Sequence, residues 1–118
     1  MDTQAVAAIV DKYLSIWNEA DADVRRMKVD QVFTPEATYT DPTIVADGAD
    51  AINEYVAYAQ SNFSGMLFSH NGSLTHHDAV HFSWQVGPKE GAPVVSGFDF
   101  ALLDGKRITQ IYGFFNAN

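Results

Sequence analysis

The sequence predicts an α+β domain, with helices packed on one face of a curved antiparallel sheet. Three observations carry that reading. Val6, Ile9, Val10, Tyr13, Trp17 and Ala20 recur at helical spacing, and Ile52, Tyr55, Val56, Ala59 and Phe63 do so again. From Met66 onward the period changes to two, with Val80, Phe82, Trp84 and Val86 alternating with His81, Ser83 and Gln85. Helical patterns come first and strand patterns follow, which separates the two kinds of element in space.

The first helix has Asp2 or Thr3 available as its N-cap. A second, shorter helix starts near Asp23, uses Val24, Met27 and Val32 as apolar contacts, and ends at Thr34, because Pro35 disfavours helical geometry in the residue before it. Ala37 to Asp41 reads as a short strand closed by Pro42. Gly48 opens the third helix, and Ser64-Gly65 stops it. After the strand around Val80–Val86 comes a turn from Gly87 to Gly91, then a strand from Val94 to Leu103. Asp104-Gly105 is a hairpin signal, and Ile108 to Phe115 forms the last strand.

The 118 residues make one domain, spanning 1–118, with 47% hydrophobic and 13% aromatic content. The formal net charge of −8 argues against nucleic acid and anionic membranes as partners, since both require a basic surface. There is no cysteine, which excludes thiol catalysis, disulfides and thiolate metal sites. The start Met1-Asp2-Thr3-Gln4 lacks a signal-peptide pattern, and no apolar run approaches the ~20 residues that span a bilayer. A soluble cytoplasmic protein is expected.

Two carboxylates stand out. Asp41 ends a strand before a proline, a common place for a turn aspartate, yet the alternation puts Ala37, Tyr39 and Asp41 on one side. Asp99 lies between Phe98 and Phe100 in a strand either phase of which can be the buried one. Exposed, it is unremarked; buried, desolvation raises its pKa and makes it a neutral donor. Tyr13 reads either as a core aromatic or as a donor to a facing carboxylate. His76 and His77 are adjacent and, in a strand, point to opposite faces. With His70 and His81 they show no metal-ligand spacing, so no metal site and no cofactor is expected.

Val10-Asp11-Lys12-Tyr13-Leu14, then Trp17-Asn18, then the run from Phe33 to Pro42 that holds Tyr39-Thr40-Asp41-Pro42, resemble the NTF2-like superfamily, with Gly48, Ile52 and the stretch Asp104 to Ile108 in support. The resemblance covers nearly the whole chain. It implies a cone of three N-terminal helices packed on a strongly curved antiparallel sheet. Within the superfamily, SnoaL-like and ketosteroid isomerase-like bacterial proteins are the most similar. By comparison with ketosteroid isomerase, the resemblance implies Asp41 as a general base, Tyr13 as an oxyanion-hole donor and Asp99 as a protonated aspartate. SnoaL-type cyclases carry a carboxylate on the final strand, where this chain has Gln110 and Tyr112.

The expected function is a small-molecule pocket that moves a proton next to a carbonyl of an apolar or polycyclic substrate, an isomerase or cyclase without cofactor. The alternative is a non-catalytic ligand-binding or dimerisation module. Trp17, Tyr39, Tyr55, Phe63, Trp84, Gln110, Tyr112 and Phe114 are expected to line the pocket, and Met27 to join the core. Phe98, Phe100, Ile111 and Phe115 exceed what the helices can cover, which points to a homodimer. In a shared pocket Asp41 should ionise readily, whereas Asp99 should keep its proton to higher pH.

Overall fold

Helix α1 (Thr3–Trp17) buries Val6, Ile9, Val10, Tyr13, Leu14, Ile16 and Trp17 along one stripe. The structure is a computed structural model that describes residues 3–116, so Asp2, one of the two N-cap candidates, lies outside the described residues. Helix α2 (Ala22–Val32) starts on Asp21, whose side chain accepts the backbone N–H groups of Asp23 and Val24, each at 3.0 Å. Its buried row is Arg25, Val29 and Val32, spaced one and two turns apart. Met27 falls on the opposite side and is 62% exposed, so its expected place in the core is corrected.

Strand β1 (Phe33–Asp41) begins directly after α2, two residues before Pro35, and is longer than the Ala37–Asp41 segment expected. Pro35 is tolerated because no ladder partner needs its missing N–H. Pairing with β2 (Ile44–Asp47) starts only at Thr38, and the register with β6 shifts between Phe33 and Thr38. Strand β2 fills the stretch between Pro42 and Gly48, where the sequence shows no element because four residues are too few for a period to show. Gly48, at φ 86°, then turns the chain into helix α3 (Ala49–Asn62). Strands β3 (Met66–His76), β4 (Ala79–Pro88), β5 (Val95–Asp104) and β6 (Arg107–Phe115) complete a sheet of order β2-β1-β6-β5-β4-β3.

Four of the five pairings are antiparallel, as expected; β1 and β6 run parallel. A parallel pair needs a long crossover, which the chain from α3 to β5 supplies. Register shifts occur in β1–β6, in β3–β4 between His70 and Ser73, and in β5–β6 between Leu102 and Leu103. Each adds local twist and bend, and the sheet curves around the three helices without closing. The concave face buries Val80, Phe82, Val86, Ala101 and Ile111 against the helices. Ile111 is therefore core rather than part of a surplus apolar face. The convex face carries His81, Phe98, Phe100, Tyr112 and Phe114, with Phe98 stacked on Phe114 at 4.8 Å and His81 at 5.0 Å from Phe98.

The C-terminal end of α1, where Trp17 sits, is fastened from three sides. Asn18 pairs through its side chain with the backbone of Phe68, donating at 2.9 Å and accepting at 2.8 Å. Gln60 of α3 donates to the Trp17 and Glu19 carbonyls at 3.0 and 2.7 Å. Buried Arg25 donates to the Glu19 carbonyl, to Asn53 and to Gln60, at 2.9, 2.6 and 3.1 Å. These bonds satisfy carbonyls that a helix end leaves without partners, and the cation suits that end of the helix dipole.

Candidate functional site

Between the helices and the concave face lies a cavity of about 310 Å³, at the small end of ligand pockets. Five elements bring polar groups to it: Tyr13 from α1, Tyr39 and Asp41 from β1, Tyr55 from α3, Trp84 from β4 and Asp99 from β5. The three residues singled out for chemistry, Tyr13, Asp41 and Asp99, all line it, as do Trp17, Tyr39, Tyr55, Phe63 and Trp84. Gln110, Tyr112 and Phe114 do not. Strand alternation on β6 turns them to the convex face, while Gly113 and Phe115 take the concave side. Phe115, expected in a dimer face, is part of the cavity wall together with Phe68, Val95 and Asn116.

Asp41 is 7% exposed and accepts four hydrogen bonds. Its Oδ1 takes the Thr43 N–H at 2.8 Å and the Thr43 hydroxyl at 2.7 Å; its Oδ2 takes the Tyr39 and Tyr55 hydroxyls at 2.8 and 2.6 Å. Burial pushes this carboxyl up, but the bonds from Tyr55, Thr43 and Tyr39 outweigh burial and hold it below its ordinary value. Tyr55, half-buried, also lies 3.0 Å from the Thr43 hydroxyl, and burial followed by its bond to Asp41 raises it to about 12.

Asp99 behaves in the opposite way. At 4% exposure, burial raises its carboxyl to about 7, despite hydrogen bonds from Trp84 and Tyr13, and the Asp41 charge adds to the rise. Trp84 Nε1 donates to its Oδ1 at 3.0 Å. Burial, then the Asp99 charge, pushes the Tyr13 hydroxyl well above its usual range, and burial does the same to Tyr39. Both phenols stay protonated.

Two strand glycines make this convergence possible. A Cβ on Gly113 would lie 3.1 Å from Asp99 Oδ1, 3.2 Å from the Tyr39 hydroxyl and 3.4 Å from Asp41 Cβ, so the three groups meet over a residue with no side chain. A Cβ on Gly97 would lie 2.7 Å from the Trp84 ring and 1.9 Å from the Phe114 carbonyl oxygen. Gly97 thus lets the indole lie close enough to the sheet to reach Asp99. Thr43, Gly97 and Gly113 were not singled out in the sequence. The Asp-x-Thr spacing of an Asx turn and glycines inside strands are the signals that mark them.

His76 and His77 do not diverge as strand neighbours would. His77 leaves the strand at φ 52°, and their Nδ1 atoms stand 3.2 Å apart at the exposed β3–β4 turn. Among the described residues no group of three or more His, Cys, Asp or Glu side chains could hold a metal ion. No helix of the described residues is long and apolar enough to cross a membrane.

With this geometry, comparison with known proteins places the chain. The model of the SnoaL-like domain matches residues 10–111, and the chain belongs to that family, within the NTF2-like superfamily. Among solved structures it is similar to a candidate isomerase of the SnoaL-like family from Agrobacterium tumefaciens, with 29% identity over 97% of this chain and 99% of that one, and a TM-score of 0.89. It is similar in fold to a candidate polyketide cyclase from Sinorhizobium meliloti, with 19% identity, coverage of 96% and 99%, and a TM-score of 0.74. A candidate ketosteroid isomerase from Kribbella flavida shares the fold at 12% identity, coverage of 99% and 82%, and a TM-score of 0.73. No curated protein matches the sequence.

Proposed function

We propose that this chain is a cofactor-free isomerase or cyclase that moves a proton next to a carbonyl of a small, largely apolar substrate. One observation carries the reading: two carboxyls line a single cavity, and their surroundings push one down and the other up, which favours opposite protonation states below about pH 7. Asp41, ionised, is the base. Asp99, neutral below about pH 7, and Tyr13 donate hydrogen bonds to the oxygen on which negative charge develops. The C–H proton passes to Asp41 as the electron pair moves onto that oxygen, and its return to a different carbon completes an isomerisation.

The hydrogen bonds on Asp41 favour a second reading. Four donors fill the acceptor positions of its two oxygens, so a substrate proton reaches it only when one donor withdraws. If none withdraws, the cavity binds a ligand without turning it over. Incubating the protein with a panel of small cyclic and aryl ketones in heavy water separates the two. Catalysed deuterium incorporation that falls by about a hundredfold or more in Asp41→Asn, with binding retained, supports the enzyme. Ligand binding with no exchange above the buffer rate leaves only the binding module.

A further inference from the structure

The cavity has an electrostatic imbalance. Among the described residues, fifteen line it, and they include two carboxyls but no lysine, arginine or histidine. Among the described residues, no ion pair includes Asp41 or Asp99. A buried carboxylate is normally paired with a cation as well as hydrogen-bonded. Here hydroxyl and amide dipoles alone offset the Asp41 charge, and the field it leaves reaches across the cavity, adding to the upward push on Asp99, Tyr39 and Tyr13. Buried Arg25 is fastened to the Glu19 carbonyl, Asn53 and Gln60, and does not line the cavity.

The groups beside Asp41 suit a cation. Trp17, Tyr39 and Tyr55 form a cluster with ring centroids 5.4 to 6.1 Å apart, and two of the three donate hydroxyl hydrogens to Asp41. Aromatic rings attract a cation through their quadrupole, most strongly where water is excluded. A weakly hydrated alkylammonium also loses little on entering apolar walls. An anion would meet two carboxyls and no positive partner.

We propose that the ligand of this cavity carries a positive charge: it is a small alkylammonium compound whose cationic head sits among these rings and supplies the counter-charge that Asp41 lacks. This rests on the reading of the cavity as a small-molecule site, but not on any reaction occurring there. Phosphorylated and carboxylated compounds are excluded as ligands by the same field.

Three probes of one shape test the charge. They are choline, the neutral alcohol in which carbon replaces its nitrogen, and tert-butylacetate as the anion. Each is titrated calorimetrically into the whole chain at about pH 6, where Asp99 is neutral. Choline should bind at least about tenfold more tightly than the neutral alcohol, and the anion should not bind. In Asp41→Asn, the advantage of choline over the alcohol should vanish, with circular dichroism and a cooperative urea transition showing that the variant is folded. If the alcohol equals or exceeds choline, or if choline's advantage survives Asp41→Asn, the charge assignment is overturned and the small-molecule reading stands. If none of the three binds, the charge assignment is also overturned, and the exchange experiment with ketones decides the rest.

Discussion

Asp41 and Asp99 are the same amino acid held in two states by their donors. Of the four donors on Asp41, three come from β1 and the residues just after it; only Tyr55 arrives from another element, and it has Thr43 as a second partner. Tyr55 is therefore the donor that can withdraw. Tyr55→Phe should move the Asp41 carboxyl upward and cost about 1 kcal/mol of stability, since a hydrogen bond to a charged group at a half-open site is lost. Carbon-detected NMR titration of the aspartate side chains measures the shift; an unchanged Asp41 would show that Tyr55 does not tune it. For Asp99 the sign runs the other way. Its carboxyl rises from an ordinary 3.8 to about 7 in the fold. Below about pH 4 it is neutral folded or unfolded and has no effect. Between about pH 4 and about pH 7 only the unfolded chain ionises, so stability falls as pH rises, levelling at a loss of roughly 4 kcal/mol. Urea midpoints of Asp99→Asn should lack this slope across the same window.

At the scale of strands, the two glycines of β5 and β6 decide whether the carboxyls can meet. Gly113→Ala places a methyl group within 3.4 Å of Asp99, Tyr39 and Asp41, so the fold should persist with about 1–2 kcal/mol lost while ketone exchange drops by more than about tenfold. Gly97→Ala meets backbone at 1.9 Å and should cost about 3 kcal/mol or more, seen as loss of the cooperative urea transition. Such a residue is hard to recognise before the register is known, because its importance comes from cross-strand partners: Gly113 stands opposite Asp99, and Gly97 opposite Trp84. Strand β5 shows the same limit. Both of its phases are apolar, so periodicity left the side of Asp99 open. The structure buries the phase with Gly97, Asp99 and Ala101, whose small residues leave room for Trp84 and the tyrosines, and turns Phe98 and Phe100 outward. By contrast, α1, α3 and β4 were legible because only one of their faces is apolar. Tyr13, Asp41 and the aromatic wall from Trp17 to Trp84 followed from those faces and from the family resemblance.

Across the whole molecule, the convex face remains to be covered. Phe98, Phe100, Tyr112 and Phe114 form a row there, and Phe100, Tyr112 and Phe114 are 37%, 36% and 45% exposed. Covering this row with its symmetry mate would bury it without touching the cavity, on the opposite side of the sheet. We expect a homodimer in sedimentation at tens of micromolar and a folded monomer for Phe114→Lys, whose urea midpoint no longer depends on protein concentration. A monomeric parent protein at that concentration would refute the expectation. The sequence pointed to Phe98 and Phe100 but paired them with Ile111 and Phe115 instead of Tyr112 and Phe114, and it did not show the β1–β6 pairing, since both depend on which strand lies beside which.

Strand β6 is the last of the six in chain order, yet it lies between β1 and β5. The strand bearing Asp41 and the strand bearing Asp99 thus have no direct contact in the sheet; β6 is the spacer that sets them side by side, with Gly113 at the crossing point. Burial is the main cause of the raised Asp99 carboxyl, and the Asp41 charge, which β6 brings near, adds to it. The β5–β6 hairpin is a local contact, whereas the β1–β6 pairing joins distant parts of the chain and is the contact expected to form slowly. The proton on Asp99 therefore reports the burial of that side chain in the assembled sheet. Refolding at about pH 6 should therefore take up a proton from solution as Asp99 is buried, so that a pH indicator dye follows assembly of the cavity, and Asp99→Asn should abolish that uptake.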